Sequence, residues 1–400
     1  MTRRALWISA ADAAALLGVS RATLYAYVSR GFVRSQPGSA GSRQRRYARD
    51  DVERLRRRSE EQRQPAKAAA RALEWGLPVL ESSITLIDGD RLYYRGHDAL
   101  VLARTRSFDE VASLIWTGGF DVPAWTPAAA GERGDADLPF TARAQSALAR
   151  AAWRDPAAFD LRPASVAACG RRVVDLLAAA AAPRARLNGR LTVDQRLARA
   201  WRVPVPGADI LRAALILCAD HELNASSFAA RCVASTGADP YAVVLAALSA
   251  LGGPKHGGAA DRLDATVREL RSERDLRLAI AARFRRGERV DGFGHPLYRG
   301  GDPRAASLLA LLREHFPGSA ALRVMDAVER AVADVTRERP NLDFALAAVG
   351  RVLALPAGTP LALFAIGRAI GWIGHAMEQY AADQLIRPRA KYVGVAPVAR

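Results

Sequence analysis

Four short segments of this chain set imidazoles and a carboxylate among small residues or proline: Asp220-His221-Glu222-Leu223-Asn224-Ala225-Ser226, Gly253-Pro254-Lys255-His256-Gly257-Gly258-Ala259, Gly292-Phe293-Gly294-His295-Pro296-Leu297-Tyr298-Arg299 and Arg339-Pro340-Asn341-Leu342-Asp343. Proton abstraction beside a carbonyl needs such a set: a carboxylate base, and donors for the oxygen on which negative charge develops. Half of the six histidines fall in these segments, so their placement is not random. The remaining histidines, His97, His315 and His375, are expected to be packed core residues, the commoner role of a lone histidine in an apolar helix. No metal is expected: His221-Glu222 lacks the second histidine of a His-Glu-x-x-His motif, and the three loop histidines are too far apart in sequence for a local zinc site.

The elements that must position these groups are helical. From Ala72 onward the chain consists of alanine- and leucine-rich stretches with apolar spacings of three and four, cut by glycine and proline. The exception is 82–94, which reads as a hairpin turning at Asp88-Gly89-Asp90. Neither a strand followed by Gly-x-Gly-x-x-Gly nor a phosphate-cradling Gly-Lys-Ser is found, which excludes nucleotide chemistry on a doubly wound sheet.

Four hundred residues exceed what a single core serves. Charge separates the parts: residues 1–71 hold fifteen Arg and one Lys against six Asp or Glu, a large share of the total +17. A local field of that sign suits a polyanion. The pattern there is specific. Ser9 is placed to cap a helix Ala10–Leu17 ended by Gly18, and Arg21–Val28 follows as a second helix presenting Arg21, Thr23 and Tyr27 outward. A wing is expected from Phe32-Val33-Arg34, through a turn at 37–42, to the basic return strand Arg43-Gln44-Arg45-Arg46-Tyr47, with a third helix from Asp50. This stretch resembles the winged helix-turn-helix of the MerR/excisionase group, which implies DNA contacts by Arg21, Thr23, Tyr27, Arg43, Arg45 and Arg46. The plainer alternative is a helical adaptor docking on protein. Cys169, Cys218 and Cys232 have no metal or disulfide spacing, pointing to a reducing cytoplasm. The apolar stretch Leu361–Met377 reads as too short and too polar to cross a bilayer.

Over roughly 82–120 and 209–394 the chain resembles the citrate synthases. The resemblance rests on Ile87-Asp88-Gly89-Asp90, Tyr94-Arg95-Gly96, Phe108-Asp109-Glu110-Val111-Ala112, the four loops above, Asp302-Pro303-Arg304, Gly371-Trp372-Ile373-Gly374-His375-Ala376-Met377-Glu378-Gln379 and the segment 385–394, all in family order. It implies an all-α fold: a two-domain helical body with the large domain at 73–257 and 345–400 and a small one at 258–344. The winged helix-turn-helix would occupy 1–60 and a linker 61–72. It further implies a homodimer acting in the tricarboxylic acid cycle, with acetyl-CoA as co-substrate and no tightly bound cofactor.

By the same resemblance Asp343 is the base, His256 the donor to the thioester oxygen, and His295 the group polarising the ketone of oxaloacetate. Arg304 and Arg368 would fork onto substrate carboxylates, with His221 assisting and Arg387 reaching in from the other subunit. Arg299, Gly292, Phe293 and Gly294 would lie beside CoA. The chain departs from the family at Lys255, where many relatives carry an uncharged residue, and at Ala260-Asp261, where Asn-Glu is common. Between Phe120 and Ala208 the resemblance is faint. Three other readings stand beside citrate synthesis: 2-methylcitrate synthesis from propionyl-CoA, a DNA-binding regulator whose body senses a ligand, and a hetero-oligomer with a related subunit.

Overall fold

The computed structural model describes residues 7–38, 45–53, 55–56, 80–123, 136–185, 191–270, 273, 275–298 and 300–395. Its contacts divide the chain into two units, Met1–Glu81 and Ser82–Arg400. The expected linker, 61–72, lies outside the described residues.

In the first unit, Ser9 caps helix Ala10–Leu17 by accepting from the Asp12 N–H, and left-handed Gly18 ends it. Ser20 caps the second helix, Arg21–Ser29, in the same way through Thr23. The wing differs from the expectation. Its strands are Ser35–Pro37 and Arg45–Ala48, and the latter also pairs with an unforeseen strand, Trp7–Ser9, on its other edge. Residues 32–34 are not strand because they are used otherwise. Val33 is buried in the small core with Leu24, Tyr47 and Val52, and Arg34 forks onto Asp51 at 2.8 and 3.1 Å. Residues 49–53 and 55–56 are helical, as the sequence predicts.

The second unit opens with the expected hairpin: Thr85–Asp88 pairs with Arg91–Tyr94, and Gly89 at φ +59° makes the two-residue turn. A short third strand, His97–Asp98, joins it. Helices follow. The longest, Thr359–Ala382, lies against Phe108–Thr117, Pro163–Ala181, Val205–Leu217, Ala225–Ala234, Pro240–Leu251 and Leu342–Val352. Glycines make this close approach feasible: a Cβ at Gly367 would come within 2.4 Å of the Leu215 carbonyl oxygen, and one at Gly371 within 2.3 Å of that of Ala219. The segment 215–220, which leads into the first histidine loop, therefore rests directly on the helix backbone.

This helix corrects one expectation. At 24 residues it is long and apolar enough, by length and composition, to cross a membrane, and 83% of its most apolar window is buried inside the fold. Its apolarity serves a protein interior, which takes the same residue types as a bilayer does. Cys169, Cys218 and Cys232 are free thiols.

Candidate active site

The four loops converge on the helices that follow or support them. The His295 loop is laced to the Asp343 loop by three bonds: Gly294 N–H donates to Arg339 O (2.9 Å), Asn341 N–H to Gly292 O (2.9 Å) and the Asn341 side-chain amide to Gly294 O (3.1 Å). Gly292 takes φ +86°, and a Cβ there would lie 3.2 Å from the Phe344 nitrogen, so glycine is required by both conformation and space. Asn341 caps helix Leu342–Val352 by accepting from Asp343 and Phe344, which sets Asp343 in its first turn. Burial pushes the Asp343 carboxyl up to about 6, partly opposed by Arg304.

Leu297 N–H donates to His295 Nδ1 at 3.2 Å. The neutral ring must then carry its hydrogen on Nε2, leaving that atom a donor. Burial and the cation of Arg304 hold His295 down at about 4. Its ring stands 5.1 Å from that of His221, edge to face. His221 Nε2 lies 2.9 Å from the Tyr298 hydroxyl, and burial, then Arg304 and Arg368, keep it well below the ordinary histidine range.

His256 follows helix Pro240–Leu251 in a turn that needs Gly257, where a Cβ would meet the Leu251 carbonyl at 2.5 Å. Its Nε2 lies 3.0 Å from Ser226 Oγ. That hydroxyl also accepts from Trp372 Nε1 (3.2 Å) and donates its proton to Asn224 Oδ1 (2.7 Å). With its single proton so committed, Ser226 Oγ accepts from His256 Nε2, which therefore carries the hydrogen of the neutral ring. Burial, then Arg368, holds His256 at about 4, so all three imidazoles are neutral at pH 7. Lys255 beside it is exposed.

Two guanidiniums complete the set, and they differ. Arg304 is buried in a fork with Asp302, Nε to Oδ1 at 2.9 Å and Nη2 to Oδ2 at 2.7 Å; Asp302 also accepts from Leu342 N–H. Arg368 donates through Nε to Cys218 O (2.7 Å) and stacks 4.8 Å above Phe364. Its Nη1 is buried with no hydrogen-bond partner among the described residues. A buried donor left so is costly unless something else binds it.

These groups combine a raised carboxylate, neutral imidazole donors and buried cations, which suits enolisation of one carbonyl compound and capture of an anionic second one. The family profile described as "Citrate synthase, C-terminal domain" matches residues 72–389. The chain belongs to the citrate synthase family. It is 33% identical over 365 residues to citrate synthase of Haloferax volcanii, covering 81% of this chain and 95% of that one. It is 31% identical over 350 residues to 2-methylcitrate synthase of Shewanella oneidensis, covering 78% and 91%. The solved citrate synthase of Thermotoga maritima superposes with a TM-score of 0.68 at 28% identity, covering 81% and 96%. A "Helix-turn-helix domain" profile matches residues 7–59. As a citrate synthase relative, the protein is an acyltransferase.

Of the sequence-predicted residues, the fold brings together His221, His256, His295, Arg304, Asp343 and Arg368, beside Gly292, Phe293 and Gly294. Arg387 lies exposed on the extended segment after the long helix. Arg299 and Arg43 lie outside the described residues. On the first unit Arg21, Arg45 and Arg46 are exposed, Thr23 is half-buried with its hydroxyl 2.9 Å from Ser20 Oγ, and Tyr27 is not outward. It packs on the small core and against Phe32, while Tyr25 is the exposed aromatic of that helix.

Two of the histidines expected in the core are on the surface: His97, against Phe120, and His315 at a helix end. His375 is indeed buried, as a charge. It pairs with Asp220 at 3.1 Å and approaches Glu378 at 3.7 Å. Asp220 in turn accepts from Thr85 (2.6 Å) and from Glu222 N–H (3.2 Å), so this pair pins the residue preceding His221. Sequence reasoning missed Asp220, Ser226, Tyr298 and Asp302 as supports. Their signal was adjacency to the motif residues.

The two carboxylates hold His375 up at about 9 against burial, above its ordinary 6.5. A raised folded value means stabilisation that is complete below pH 6.5 and lost as pH rises through 9, on the order of 3 kcal/mol. Thermal unfolding of the wild type should therefore weaken across that window, and His375→Gln should flatten the slope. Equal slopes in the two proteins would remove the imidazolium from the account.

Proposed function

We propose that the body condenses acetyl-CoA with oxaloacetate to give citrate and free CoA. The observation that carries this reading is the buried, unpartnered Nη1 of Arg368 in a pocket shared with neutral imidazoles and Asp343, a fit for the carboxylate of a 2-oxo acid. Asp343 takes a proton from the acetyl methyl group while His256 hydrogen-bonds the thioester oxygen. His256 carries that hydrogen on Nε2, where Ser226 Oγ accepts it until the thioester oxygen takes it. The enolate carbon then attacks the ketone carbon, and the ketone oxygen receives the proton of His295 Nε2. Water cleaves the resulting thioester and releases the thiol of CoA. Arg304 and Arg368 hold the substrate carboxylates, with His221 assisting. Arg387 serves the partner's site in a homodimer, and Arg299 with the 292–294 backbone lies along CoA.

Thiol release from acetyl-CoA with oxaloacetate tests this directly. Folded protein that binds both substrates and releases no thiol would overturn it. The identity to a 2-methylcitrate synthase supports propionyl-CoA as the second candidate substrate. One methylene is worth about 1–3 kcal/mol in a pocket, so the ratio of the two rates decides between them.

The first unit we read as DNA-binding, on its exposed Arg21, Arg45 and Arg46 and its capped helix pair. Replacing Arg45 and Arg46 together by Ala should weaken binding to DNA from the protein's own locus and lower the slope of log affinity against log salt by about 2. Fluorescence anisotropy on the full chain measures both. An unchanged slope and affinity would favour protein docking by this unit.

A further inference from the structure

Away from the four loops, helices Phe108–Thr117, Pro163–Ala181 and Val193–Ala200 line a solvent-open cavity of about 310 Å³, within the lower range of small-molecule sites. Its lining carries opposite charges, Asp109 and Arg171, that attract each other through space without a hydrogen bond between them. Arg171 stands 5.9 Å from the centroid of the Trp116 ring, and Asp109 lies on the facing helix. No hydrogen bond joins either of them to another described residue. Arg196, 7% exposed, donates through Nη2 to Asp175, and its Nε is buried without a hydrogen-bond partner among the described residues. Trp116, Val174 and Leu191 supply an apolar wall.

A half-buried guanidinium and a half-buried carboxylate on facing helices, neither with a hydrogen-bond partner among the described residues, recover only part of their desolvation cost from mutual attraction and have donors and acceptors left for a ligand of complementary charges. A free α-amino acid carries both charges on adjacent atoms. We propose that this cavity binds a free aliphatic α-amino acid, its carboxylate on Arg171, its ammonium on Asp109 and its side chain against Trp116 and Val174. The site has a path to the catalytic residues. Trp116 Nε1 donates to Ile370 O at 2.8 Å, two residues beyond Arg368 on the long helix, so a ligand resting on Trp116 bears on the helix that carries Arg368.

Calorimetric titration of the full-length enzyme with L-leucine, without either substrate, tests the binding independently of the condensation chemistry. Leucine should bind, whereas 4-methylpentanoate, which lacks the ammonium, and 3-methylbutylamine, which lacks the carboxylate, should each bind weaker by about tenfold or more. Arg171→Met should abolish leucine binding and leave thiol release unchanged. No heat with millimolar leucine would overturn the proposal, as would equal binding of either truncated analogue. So would leucine binding retained in both Arg171→Met and Asp109→Asn.

Discussion

Asp343→Asn should lower kcat by about 10²- to 10⁴-fold, the range that a positioned base contributes, while both substrates still bind. The amide keeps the shape and the first-turn position under Asn341 but cannot accept the methyl proton. The same residue sets the pH dependence of the wild type. A base must be ionised to act, and burial raises this carboxyl to about 6. The rate therefore falls as pH drops through about 6, a unit or two above where an ordinary aspartate would place the limb. Steady-state thiol release across pH 5 to 8 measures it. Wild-type turnover by the asparagine variant would remove Asp343 from the base's role.

Arg368→Lys should raise the KM for oxaloacetate by about 10²-fold, the loss expected for a charged hydrogen bond, with little change in the KM for acetyl-CoA. Lysine keeps the charge and loses the fork. One ammonium cannot both reach Cys218 O and present a second donor where Nη1 now stands. The variant's melting temperature separates misfolding from lost recognition. An unchanged KM for oxaloacetate in a folded variant would place the substrate carboxylate elsewhere.

What the sequence made legible was local. Ser9 and Gly18 bound their helix, Gly89 turns its hairpin, and the glycine-bearing loops present His256 and His295, because caps, turns and tight backbone are written within a few adjacent residues. What it hid was long-range. Asp220 and His375 are 155 residues apart, and nothing near either one announces a buried ion pair. Apolar neighbours suggested a packed core role for His375, and the same reasoning misplaced His97 and His315. The strand Trp7–Ser9 was missed because three residues carry no periodicity, and the wing was started too early because Val33 belongs to the core. Tyr27 was turned outward on helical spacing alone, when Tyr25 occupies that face. The cavity by Trp116 is lined on one side by the helix from Phe108, which carries the family resemblance, and on the other by Arg171, Val174 and Leu191, where the resemblance is faint, so the meeting of Arg171 with Asp109 emerges only from the packing of separate helices.

The glycines of the long helix set a limit on engineering. Replacing helical glycine with alanine is a standard way to stabilise an exposed helix, worth roughly 1 kcal/mol per site. At Gly367 and Gly371 the added methyl would collide with the carbonyls of Leu215 and Ala219, lifting the segment that presents His221 off the backbone that carries Arg368. Thermostable variants of this enzyme must therefore be sought elsewhere, since these two helix-disfavouring residues are the ones that hold Arg368 and the His221 loop in register.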